Sequence, residues 1–278
     1  MANPARVPGK RGLQPRDMSR PIPIAESYLR PRASAELPVV PMNRDVDRAS
    51  LVTDWPMYCN GPDPENATAC PGSPDGCGDC FWAAYGHEIT AWSVYSGKGQ
   101  VVIPAASVIT GYASTGYDPQ TGANDNGTEP VSGLEFLRST GLADTSGKYH
   151  KIVAYAAFAN PANELLLGQA LETFGSVLVA VNLEQAQEDQ FADGEPWTWV
   201  ANSPQLGGHM IALQHRATGM DILKYVTWGA LWPANKAFQY NQAVDAYVVV
   251  TEDWIEANGT TVDGFDLEQL IADMAAVS

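Results

Sequence analysis

From residue 80 onward the apolar positions fall into recognisable periods. In Cys80–Tyr95 (CFWAAYGHEITAWSVY), Phe81, Tyr85, Ile89 and Trp92 recur at i, i+4, i+8 and i+11, which is one face of a helix. A second helix is predicted over Gly133–Ser139. A third is predicted over Pro161–Phe174, with Asn160 as N-cap, Pro161 in the first turn and Gly175 just past the end. Ser176–Asn182 (SVLVAVN) is short, apolar and rich in β-branched residues, as a buried strand requires. Further strands are expected at His209–His215, Asp221–Trp228 and Ala246–Thr251, and short helices at Asp253–Ala257 and Asp266–Ala276. Helices come first and strands later, an α+β order rather than a regular βαβ alternation.

Before about Arg48 no such period exists. Pro4, Pro8, Pro15, Pro21, Pro23, Pro31, Pro38 and Pro41 punctuate this stretch, and each proline biases the residue before it toward extended backbone. The pattern divides the chain into an extended arm, residues 1–51, and an α+β domain, residues 52–278.

Charge sharpens that division. The 278-residue chain has a net charge of -16 and is 45% hydrophobic, enough to bury a substantial core. Residues 1–50 hold nine of the sixteen Lys and Arg against five acids, so a basic arm precedes a strongly acidic body. Phosphate binding needs a surplus of cations, so the body is not expected to bind nucleic acid. Arg6, Lys10, Arg11, Arg16, Arg20, Arg30 and Arg32 suit an acidic protein surface instead, either neighbouring subunits or the body of a sister copy. No apolar run reaches the roughly 18 residues of a membrane span. The first residues carry no apolar core of a secretory signal, so a cytoplasmic protein or one packed into a particle is expected.

The chemistry concentrates at Gly78-Asp79-Cys80 and Gly207-Gly208-His209. A thiol is nucleophilic as the thiolate, and a helix N-terminus favours that form; Cys80 sits where a glycine-containing loop meets the first predicted helix. His209 opens an apolar strand behind two glycines that permit close backbone approach. Together they form a candidate nucleophile and base.

Cys77-Gly78-Asp79-Cys80-Phe81-Trp82 resembles the nucleophile segment of papain-like cysteine peptidases. His209 follows at 129 residues, within one of the family's usual spacing. Tyr225-Val226-Thr227-Trp228-Gly229 is similar to that family's Asn-Ser-Trp-Gly segment. The triplets Gly78-Asp79-Cys80, Gly207-Gly208-His209 and Thr227-Trp228-Gly229 also resemble a branch of the fold found in bacterial and phage genomes. The resemblance implies a papain-like α+β fold, helices followed by an antiparallel sheet, with Cys80 attacking a peptide bond and His209 as base.

Three departures accompany it. The family's histidine-orienting Asn corresponds to Val226, which cannot accept a hydrogen bond, leaving Thr227 as the nearby acceptor. The oxyanion-hole Gln corresponds to Pro74, and loss of such a donor costs about 100- to 1000-fold in turnover. Asp79 would raise the Cys80 pKa if ionised.

Cys59, Cys70 and Cys77 are candidates for a disulfide, with Cys77 pairing to Cys59 or Cys70. The alternative, a zinc site of all four cysteines, has only one C-x2-C pair. His87, two helical turns beyond Cys80, is too far away to relay its proton. Asp118–Glu129 has Ala123 where a calcium loop needs glycine. No cofactor is expected. Two function classes follow: a cysteine hydrolase with a peptide substrate, or a non-catalytic component of a larger assembly such as a phage virion, attached through residues 1–51. The departures favour the second, with localisation in a virion.

Overall fold

The computed structural model describes residues 8–28, 52–62, 64–95, 97, 99–217, 222–252, 254–255 and 266–277. In chain order the elements are α1 (Asn66–Ala69), α2 (Cys80–Tyr95), α3 (Ala105–Ala113), α4 (Pro130–Ser139), β1 (Leu142–Ala143), β2 (Tyr149–His150), β3 (Ile152–Ala157) and α5 (Glu164–Phe174). They continue with β4 (Val177–Glu184), α6 (Gln185–Asp193), β5 (Gln205–Ala217), β6 (Ile222–Thr227), β7 (Ala230–Asn235), α7 (Lys236–Gln242), β8 (Ala243–Thr251) and α8 (Leu267–Val277).

Six strands form one sheet in the order β3-β8-β4-β5-β6-β7, antiparallel throughout. The early helices precede the sheet in the chain, giving the α+β architecture expected from the sequence. Among the described residues no helix is long and apolar enough to cross a membrane.

Helix α2 has the predicted boundaries but not a solvent-facing side: every residue from Cys80 to Ser93 is buried. It packs on β5 with one side and on α3 and α4 with others, so the face predicted from Phe81, Tyr85, Ile89 and Trp92 is part of an all-round apolar surface. Helix α4 starts earlier than expected because the Glu129 carboxylate accepts the Val131 and Ser132 N–H groups, with Pro130 in the first turn. Helix α5 starts later: Asn160 turns back on Ala162, and Asn163 receives the Leu166 N–H at 3.3 Å.

Strand β7 lies outside the strands expected from the sequence, and it contains Pro233. It survives there because β7 is an edge strand, where a missing donor costs no ladder bond. The helix expected at Asp253–Ala257 lies largely outside the described residues.

Residues 8–28 are built into the domain by backbone pairing rather than trailing from it. Leu13 bridges Thr128 and Gly208, and Ile24 bridges Ala157. The Ala157 N–H donates to Pro23 O at 2.9 Å, and the Asp266 N–H to Tyr28 O at 2.9 Å. Arg6, Arg30 and Arg32 lie outside the described residues.

Candidate functional site

Cys80 is the first residue of α2, and packing of α2 on β5 brings its sulfur beside the strand that carries His209. The Met210 N–H donates to Cys80 Sγ at 3.4 Å. His209 lies on β5 and Thr227 ends β6, with His209 Nε2 2.9 Å from Thr227 Oγ1. Sheet register explains why residue 227 serves and residue 226 does not. Ala212 pairs with Val226 and Leu213 with Tyr225, so Thr227 shares the face of His209 while Val226 faces the other way. Val226 packs there against Val52, Trp55, Ala91 and Ala212. The His209 ring also lies against Trp228, with centroids 5.0 Å apart. His209 Nδ1 is buried with no hydrogen-bond partner, and no hydrogen bond links it to Cys80.

Both groups are neutral in this arrangement. Burial pushes the Cys80 thiol up to about 12, against smaller downward pulls from the Met210 and Gly12 amides. A helix N-terminus favours an anion by only about 0.3–1 kcal/mol at exposed sites, so desolvation wins. Burial pushes the His209 imidazole down to about 3, and the positive charge of Arg11 adds to that. A thiol this high and an imidazole this low do not form an ion pair.

Residues 9–14 run past both groups, with the Gly12 N–H on the Cys80 thiol and the Arg11 charge acting on His209. Lys10 N–H donates to Asn60 O at 2.5 Å, and Asn60 Nδ2 returns a bond to Lys10 O at 2.8 Å. Gly12 O accepts the Thr128 N–H at 2.7 Å, Gln14 N–H donates to Thr128 O at 3.0 Å, and Leu13 N–H donates to Gly208 O at 3.2 Å. The segment is therefore tied to the α4 side and to the β5 side at once.

Its cations meet acids of the same chain. Arg11 pairs with Glu188 on α6, Arg16 with Asp245 at 3.2 Å, Arg20 with Glu129 at 3.2 Å and Lys10 with Asp125 at 3.8 Å.

No disulfide joins Cys77 to Cys59 or Cys70 in this structure. They do gather, with Cys70 in hydrogen-bonding contact with both Cys59 and Cys77. Those contacts hold the Cys70 thiol down and the Cys77 thiol up. Cys80 stands apart against β5, so the four-cysteine zinc arrangement is not formed. Among the described residues no group of three His, Cys, Asp or Glu is placed to hold a metal ion.

Asp79 is fully buried, and burial raises it well above the usual carboxylate range, against a smaller downward pull from Asn60. Where it ionises, Asp79 raises the Cys80 thiol further, as expected from its position next to the nucleophile. Pro74 offers no donor to the site; its carbonyl accepts from Asn66 Nδ2 at 3.4 Å. His87 is a structural group, with Nε2 2.6 Å from Pro56 O and its ring between Trp55 and Tyr58.

Sequence reasoning missed Asp125, Asn60 and Glu188. Asp125 Oδ1 accepts the Gly78 N–H at 2.7 Å and the Tyr112 hydroxyl at 2.7 Å, which fixes the loop before Cys80. Its place in an Asn-Asp-Asn-Gly turn was visible, but only the fold brings that turn to Gly78.

This fold is that of the papain-like cysteine proteases, helices leading into an antiparallel sheet with the thiol at the first residue of the central helix. Among solved structures, proCathepsin B S9 from Trypanosoma congolense superposes with a TM-score of 0.54 at 13% identity, covering 88% of this chain and 87% of that one. Xylellain, a cysteine protease from Xylella fastidiosa, superposes with a TM-score of 0.50 at 13% identity, covering 69% of this chain and 91% of that one. No protein-family model matches the chain, and no curated protein matches it by sequence.

Proposed function

We propose that this protein is a cysteine peptidase kept latent by its own residues 8–28. The observation that carries the reading is the arrangement of three side chains. Cys80 heads a helix beside β5, His209 Nε2 is occupied by Thr227, and His209 Nδ1 is left without a partner on the ring's other side. Once residues 9–14 lift away, water reaches both groups and the Arg11 charge leaves His209. The Cys80 proton can then pass to His209 Nδ1, and the thiolate attacks the substrate carbonyl carbon. The imidazolium returns the proton to the leaving amine, and water hydrolyses the thioester.

A second reading, a non-catalytic component of a larger assembly such as a virion, is favoured by the missing donor at Pro74. In that reading the buried, neutral Cys80 and His209 are packing groups.

Full-length Arg16→Ala, which weakens the arm, separates the two when incubated with a dye-labelled protein substrate. Cleavage that disappears in the Arg16→Ala, Cys80→Ser double variant is expected. No cleavage, together with a Cys80 alkylation rate that titrates near pH ~8.5 like an ordinary thiol, would sink the peptidase reading.

A further inference from the structure

Glycines on both walls meet a glycine of the arm at the point where the chain passes the nucleophile. A Cβ on Gly12 would overlap the Gly78 carbonyl group, and a Cβ on Gly127 would overlap that of Gly12. A Cβ on Gly78 would lie 2.9 Å from Gly12 Cα, and one on Gly208 2.7 Å from Leu13 O. None of Gly12, Gly78 and Gly208 is in the left-handed region, so the requirement at these positions is for space rather than for an unusual backbone angle.

Gly12 itself is held otherwise by main chain, through bonds to Thr128 and Gly208 that would form with any sequence, while the Leu13 side chain packs on the core and Gln14 Nε2 donates to Asn126 O at 3.0 Å and Gly127 O at 3.2 Å. At the position of Gly12 selection comes from the width of the passage, and beside it from the Arg11 side chain. The Gly12 N–H points at the thiol. The Arg11 guanidinium reaches Glu188, and a Cβ on Gly207 would sit 3.8 Å from Arg11 Cδ and Nε, so the arginine stem lies along that glycine.

We propose that the cleft is a glycine gate: it admits an extended peptide only where the residue facing Cys80 is glycine, and it selects an adjacent arginine through Glu188. The substrate class of the site is therefore peptide segments in which glycine adjoins arginine. Glycine lacks a side chain on either face, so the gate acts on a chain running in either direction. The word substrate rests on the peptidase reading above; the gate does not.

The test uses the full-length chain with Gly12→Val, whose added bulk displaces the arm. Alkylation of Cys80 by iodoacetamide should accelerate by roughly 5- to 150-fold over the unsubstituted chain. A synthetic peptide of residues 8–20 should restore protection. The same peptide carrying Gly12→Ala should need at least about fivefold more to do so. Replacing Arg11 in the peptide should weaken protection, and Glu188→Gln in the protein should erase that difference.

Equal protection by the glycine and alanine peptides, or an unchanged alkylation rate in Gly12→Val, overturns the gate. Should Gly12→Val fail to fold, Arg16→Ala with the same two peptides gives the same comparison. Peptidase activity is read separately on short amide substrates ending in Arg-Gly and Arg-Ala. Hydrolysis of both at one rate removes the gate and leaves the peptidase, whereas glycine-selective protection without hydrolysis does the reverse.

Discussion

The hydroxyl of Thr227 holds His209 by its Nε2 at 2.9 Å, which aims the unbonded Nδ1 away from β6. In most charge-neutral cores both ring nitrogens would be satisfied. Here one is left open within the packing that also buries Cys80.

Thr227→Val keeps the shape and removes the acceptor or donor that Nε2 uses. Leaving a buried ring nitrogen unsatisfied should lower stability by about 1–3 kcal/mol, measured by urea unfolding. In an arm-weakened background it should also slow turnover by roughly two- to tenfold, the worth of a net hydrogen bond of about 0.5–1.5 kcal/mol. Thr227→Ser should recover both. Equal turnover for Val and Ser would show that Thr227 does not orient the ring.

Among the described residues Arg16 makes the most deeply buried of the arm's ion pairs, with side-chain exposure of 13% against 11% for Asp245. Removing one partner of such a pair costs about 3–5 kcal/mol, more than an exposed bridge such as Lys10–Asp125 can supply. If most of that cost falls on arm docking, Arg16→Ala should raise the Cys80 alkylation rate by at least about 100-fold. Lys10→Ala should change it by less than about fivefold. Comparable effects from the two variants would place the latch elsewhere.

Glu88, fully buried on α2, accepts the Ser176 hydroxyl at 2.8 Å, and burial lifts its carboxyl to about 8. In the unfolded chain it ionises near the ordinary 4.5, so between pH 4.5 and about 8 the folded state holds a proton that the unfolded state has lost. Stability from this group is complete below pH 4.5 and falls as pH rises, by up to about 1.4 kcal/mol per pH unit. Glu88→Gln should flatten that slope, so its stability relative to the parent should rise steadily from pH 5 to pH 8. A difference that does not change with pH would mean Glu88 ionises normally in the folded protein.

Oxidation probes the thiol cluster. Glutathione disulfide should produce one bridge involving Cys70, since Cys59 and Cys77 both touch it and hold it toward the thiolate. Cys80 should remain alkylatable after denaturation. A mixed disulfide on Cys80 as the first product would contradict its burial.

The sequence by itself determined the elements whose chemistry is local. Cys80–Tyr95 reads as a helix because Phe81, Tyr85, Ile89 and Trp92 recur at helical spacing, and Ser176–Asn182 reads as a strand because β-branched residues leave few alternatives. The order of Cys80, His209 and Thr227 along the chain was equally legible, and so was the contrast between a basic arm and an acidic body. Strand β7 and the later start of α5 were not, since an edge position excuses Pro233 and the choice between Asn160 and Asn163 depends on what packs beyond them.

Only the tertiary structure decided how those residues meet. The β5–β6 register turns Thr227 toward His209 and Val226 away, a matter of one residue that no local propensity fixes. It also decided where the arm goes. A proline-rich basic segment is compatible with any acidic surface, and the energy that selects one comes from long-range pairs: Gly12 against Gly78, Leu13 with Gly208, Arg16 with Asp245. Burial in the assembled fold then sets the charge state of Cys80 and His209, because desolvation depends on what surrounds a group in space and not on its neighbours in sequence.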